Sequence, residues 1–86
     1  MRAMPNAATH AEAVRAAIEA LGGTVTVAKA LVEGGRRIDL AGLDRDATAL
    51  CAAVLTLATD DARALRPALE TLLRQVEGLS HEVARG

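Results

Sequence analysis

The chain has 86 residues, 51% of them apolar, a formal net charge of −1 and no Phe, Tyr or Trp. That length makes one small domain, which buries only about 60% of its unfolded surface. Acids and bases are interspersed, which excludes the clustered basic excess of a general nucleic-acid binder, and no apolar run approaches the ~20 residues that span a bilayer.

In chain order, residues 1–8 read as a frayed lead, because Pro5-Asn6 breaks structure and Thr9 is a helix cap. The segment lacks the apolar core of a secretory signal, so a cytoplasmic protein is expected. A first helix is expected over about 10–33. Its stripe is Val14, Ile18, Leu21, Val25, Ala28 and Val32, with gaps of four and three that place them on one face. Gly22-Gly23 costs on the order of 2 kcal/mol of helix propensity relative to Ala. The Thr24-Val25-Thr26-Val27 run that follows is a short strand signal. The stripe keeps phase across the glycines, which favours one continuous helix over two short helices with a joint.

Gly34-Gly35-Arg36-Arg37-Ile38 is the first clear turn, with Gly34 expected as the left-handed cap. Asp39 then caps a second helix over about 40–58, where Ile38 can staple onto Leu43. Its stripe is Leu40, Leu43, Ala47, Leu50, Val54 and Leu57. Gly42 reads as a modest defect in the first turn. Thr59-Asp60-Asp61 opens a third helix over about 60–84, with its acids where the helix dipole favours them. The third stripe is Ala62, Leu65, Leu69, Leu72, Val76, Leu79 and Val83. Pro67 falls inside it and predicts a kink, or a one-turn helix over 60–65 before the main one. The short second connection favours an antiparallel pair. The fold class is therefore all-α: a three-helix antiparallel bundle, or a helical hairpin plus a long N-terminal helix.

Four large aliphatic residues fall off these stripes: Val27, Leu31, Leu55 and Leu73. A helix that is apolar on more than one face needs more than one neighbour. They form the candidate face for a homodimer or a partner helix, and Arg63, Arg66 and Arg74 form the candidate charged rim. An oligomer, with a dimer favoured, is the expected state.

No constellation for catalysis or cofactor binding is present. Cys51, the single cysteine, lies on the apolar side of the second helix, with no thiolate-favouring neighbour in sequence, and reads as a small buried hydrophobe. His10 and His81 have no ligand-spaced partner for zinc. Glu77 and His81, and Glu70 and Arg74, read as weak surface pairs. Arg36-Arg37 lacks the Gly-rich run and Lys of a phosphate loop, and the aspartates lack EF-hand spacing. A helix-turn-helix reading of residues 13–39 leaves only Lys29 as a polar reader on its second helix.

The run LVEGGRRIDLAGLDRDATALCAAV, from Leu31 to Val54, resembles the small helical chaperones of bacterial flagellar and type III export. Those also use Ala/Leu-rich antiparallel helices with a short Gly/Asp break. The resemblance covers under half of the chain and implies no residue roles. The Arg and Ala bias reads as a GC-rich bacterial genome. The expected function is a non-catalytic protein–protein interaction module, an adaptor, assembly factor or chaperone-like protein, and no enzyme. The alternative is a small DNA-binding regulator or antitoxin.

Overall fold

The structure, a computed structural model, describes residues 7–85. It is all-α: α1 spans Ala7–Glu33, α2 spans Leu40–Val54 and α3 spans Thr59–Arg85. There is no strand among the described residues. Each helix packs against the other two, and α1 and α3 share the longest seam.

α1 runs unbroken through Gly22-Gly23. Thr24 and Thr26 donate their hydroxyls to the carbonyls of Ala20 and Gly22, at 3.1 and 3.0 Å. This back-bonding satisfies the hydroxyls inside the helix, so the β-branched run stays helical. A Cβ on Gly23 would meet nothing, and one on Gly22 only Gln75 Oε1 at 3.9 Å. Neither glycine is required by a close approach. The helix starts earlier than the cap at Thr9 predicts, because Ala7 and Ala8 are strong helix formers and extend it upstream. The rest of the expected lead, Met1–Asn6, lies outside the described residues.

The end of α1 corrects the expected cap. Gly35, not Gly34, takes the left-handed conformation, with φ +82°. The N–H of Arg36 donates to Leu31 O at 2.8 Å and that of Gly35 to Val32 O at 2.9 Å. These are the two bonds of a Schellman motif, which satisfies the last carbonyls of the helix. Adjacent glycines are indistinguishable by type, and only the backbone path selects the second.

Asp39 caps α2 as its position predicts, with Oδ1 accepting from Gly42 N at 2.9 Å. Gly42 is no defect. A Cβ there would lie 2.5 Å from Asp39 Oδ2, so the missing side chain makes room for the capping carboxylate. α2 ends at Val54, one turn short of the predicted Ala58. The N–H groups of Thr56 and Leu57 reach back only three residues, to Ala53 and Val54. The Thr56 hydroxyl donates to Ala53 O at 2.6 Å and takes the carbonyl that a further helical turn would use. With its one proton so committed, Thr56 Oγ1 accepts from His10 Nε2–H at 3.0 Å. This bond ties the start of α1 to the α2–α3 turn.

α3 is not divided at Pro67, which lies inside it on an exposed position. The carbonyl of Arg63 loses its usual donor there. Both residues are exposed, so water can take the donor's place. Leu65 and Leu69, on either side, are buried. Asp60 and Asp61 occupy the first turn and Arg85 the last, in the sense the macrodipole favours.

The core follows the three stripes. Val14, Ile18, Leu21, Val25 and Ala28 of α1 meet Leu43, Ala47, Leu50 and Val54 of α2. Leu65, Leu69, Leu72, Val76 and Leu79 of α3 complete it. Leu65 and Leu72 are the most deeply buried large side chains. Stripe members at the helix ends are only partly buried, among them Val32, Leu40, Leu57 and Ala62. Val83, in the last turn, is exposed.

Candidate functional site: two aliphatic seams

The four off-stripe aliphatics are all exposed: Leu55 by 85%, Val27 by 60%, Leu31 by 38% and Leu73 by 37%. The structure does not gather them into one face. Val27 and Leu31 line a hollow of about 710 Å³ between α1 and α2. Leu55 lines a hollow of about 450 Å³ between α2 and α3, and Leu73 a neighbouring one of about 390 Å³ along the same seam. A row read from sequence as one surface is two surfaces, separated by the body of α2.

The α1/α2 seam is longer than those two residues indicate. A second hollow, of about 520 Å³, continues it and shares Ala20, Thr24 and Asp46 with the first. On α1 the walls are Ala17, Ala20, Thr24, Val27 and Leu31. These have the same alternating gaps of three and four as the core stripe, one residue earlier. On α2 the wall is Gly42, Asp46, Ala49 and Ala53, spaced four, three and four. The floor includes the buried Ala28, Leu43 and Leu50. Sequence reasoning missed this second row because Ala, Gly and Thr do not register as large apolar residues. The repeated spacing was the available signal.

The α2/α3 seam collects the predicted rim. Arg63 and Arg66 line the hollow with Leu55, and Arg74 lines the one with Leu73. Cys51 lines both and is half-buried. Asp44 and Glu77 join Arg74 in the second. Arg74 Nη2 donates to Thr71 Oγ1 at 3.3 Å instead of pairing with Glu70. Among the described residues Arg63, Arg66, Asp44 and Glu77 form no ion pair, and Glu77 and His81 do not pair.

A further hollow lies where the end of α1 and the α1–α2 loop meet the end of α3. It is lined by Val32, Arg36, Arg37, Ile38, Glu82 and Val83. Glu82 Oε1 is buried there without a hydrogen-bond partner. Sequence reasoning assigned nothing to Glu82, because its approach to the α1–α2 loop is a tertiary matter. Ile38 is partly buried against the core and lines the large α1/α2 hollow together with Leu43.

Among the described residues there is no group of three His, Cys, Asp or Glu side chains that could hold a metal ion. Among the described residues no helix is long and apolar enough to cross a membrane. Comparison with protein-family models, curated proteins and solved structures finds no match for this chain. The resemblance to export chaperones therefore rests on composition alone.

Proposed function

We propose that this chain is a non-catalytic protein–protein interaction module that works by burying aliphatic helix faces. We read the three helices as an antiparallel bundle whose core face is complete and whose two seams remain open to other chains. The observation that carries this reading is the exposure of Leu55 and Val27, each in an open hollow rimmed by charge. Interfaces of this kind combine an apolar centre with a polar rim. The supply of aliphatic surface without aromatics limits the energy of each contact, since Phe, Tyr and Trp dominate most interface hot spots. Shallow grooves walled by Ala, Gly and Thr instead favour a closely approaching helix.

Site-specific photo-crosslinking tests the reading in cells that express the full chain. A photoreactive residue replaces Val27 or Leu55, and a control replaces the exposed Glu12. Discrete heavier adducts are expected from positions 27 or 55 and not from 12. The same adduct pattern at all three positions would remove the reading.

A further inference from the structure

We propose that the α2/α3 seam is a self-complementary interface, on which a second copy of this chain docks about a two-fold axis passing near Cys51. The proposal deepens the interaction reading and rests on it. The hollow at the Leu55 end carries two guanidiniums, Arg63 and Arg66, and no carboxylate. Asp60 and Asp61 lie in the same turn region but do not line it. The hollow at the Leu73 end carries two carboxylates, Asp44 and Glu77, and the single guanidinium of Arg74. Arg74 is already engaged with Thr71 of its own helix.

A seam that is basic at one end and acidic at the other is complementary to itself when turned end for end. An isologous two-fold contact performs that operation, because each residue then faces the partner of its opposite end. The register follows from spacing. Arg66 and Glu77 are eleven residues apart, about 16 Å along the helix. Their midpoint lies between Leu69 and Leu73, the α3 walls of the two hollows. On α2 the residue common to both hollows is Cys51. Both helices thus place the axis at the same level.

The apolar groups fit the same operation. In the paired state the two Leu73 side chains meet near the axis. Each Leu55, the most exposed large aliphatic among the described residues, covers the Leu73-end hollow of the other copy, which the buried Ala47 and Val76 help to line. The seam is short, since α2 is only about 22 Å long. It therefore belongs to the small, readily dissociating class of interfaces.

The test is a charge-swap cycle on the full chain, followed by light scattering up to about 1 mM, the concentration at which only the weakest specific contacts dissociate. Wild type is expected to pass from 8.9 kDa to twice that mass as concentration rises. Arg66→Glu and Glu77→Arg, each alone, are expected to raise the dissociation constant about tenfold or more, because each sets like charges opposite one another at two places. The chain carrying both swaps is expected to dimerise again. Circular dichroism on the same samples checks that helicity is kept, and Asp44→Arg takes the place of Glu77→Arg should that variant unfold.

A wild-type chain that stays at 8.9 kDa throughout overturns the proposal. So does a dimer that ignores the single swaps, or one that the double swap does not restore. None of these outcomes touches the broader interaction reading, which stands or falls on the photo-adducts at positions 27 and 55.

Discussion

α1 and α3 are both 27 residues long, about 40 Å each, and both bury one stripe of alternating three- and four-residue gaps. Their outer surfaces differ. α3 shows Arg63, Arg66, Glu70, Arg74 and Glu77 to solvent. α1 shows Glu12, Arg15, Glu19 and Lys29 as well, but beside them runs a row of small and aliphatic residues, Ala17, Ala20, Gly23, Val27 and Ala30. The amphipathic contrast of α3 orients it without help. α1 has Gly, Val and Thr in its middle and so has weak intrinsic propensity. Its helicity depends on packing against α2 and α3. The lesson is that an equal buried stripe does not make two helices equivalent. α3 carries an uncovered aliphatic, Leu73, among its charges, whereas α1 keeps a whole second row, from Ala17 to Leu31, along the open α1/α2 seam.

The largest difference is expected between two near neighbours on α1. Val25 is 3% exposed and Val27 is 60% exposed, two residues apart. Val25→Glu places a carboxylate in the core without a partner and is expected to abolish cooperative unfolding. Val27→Glu is expected to stay within about 0.5 kcal/mol of wild type, as surface substitutions do. Urea unfolding followed by circular dichroism reads both. Equal loss from the two would mean that the outer row of α1 is core after all.

A second comparison concerns α3. Leu72→Ala, at one of the most buried positions, is expected to cost about 2–5 kcal/mol. Ile18→Val on α1 is expected to cost only about 0.5–1.5 kcal/mol. In a domain this small the first change consumes most of the stability, so the midpoint should fall to low urea or vanish. A Leu72→Ala chain that unfolds like wild type would place the core elsewhere.

The smallest effects separate glycines that are free from one that is used. Gly23→Ala on α1 and Gly78→Ala on α3 meet nothing within 4 Å. Each is expected to stabilise by about 1 kcal/mol, a rise of roughly 4–8 °C in thermal midpoint. Gly42→Ala is expected to gain nothing, because its Cβ displaces the Asp39 carboxylate from its cap, which is worth about 0.5–2 kcal/mol. Thermal scans at one protein concentration test all three. A full gain at Gly42 would mean that Asp39 keeps its cap by turning aside.

Much of the fold was written in the residues themselves. The three stripes, the Asp39 cap, the acidic first turn of α3 and the continuity of α1 through its glycines all follow from local spacing and backbone chemistry. Spacing also sets Val27, Leu31, Leu55 and Leu73 off the stripes, but only the structure shows that they are exposed rather than part of a wider core face. The misreadings have local causes too. Gly35 and Gly34 look alike until the Schellman bonds choose between them. The early end of α2 depends on one threonine hydroxyl taking one carbonyl.

What spacing along one helix cannot supply is which neighbour covers which flank. Periodicity fixes an angle around a helix axis, but not what stands on either side of it. Only the tertiary structure assigned Val27 and Leu31 to the α1/α2 seam and Leu55 and Leu73 to the α2/α3 seam. It also set Arg63 and Arg66 at the opposite end of that seam from Asp44 and Glu77. The order of charges across a seam depends on how two helices are placed side by side, and that placement is decided by packing among residues far apart in the chain.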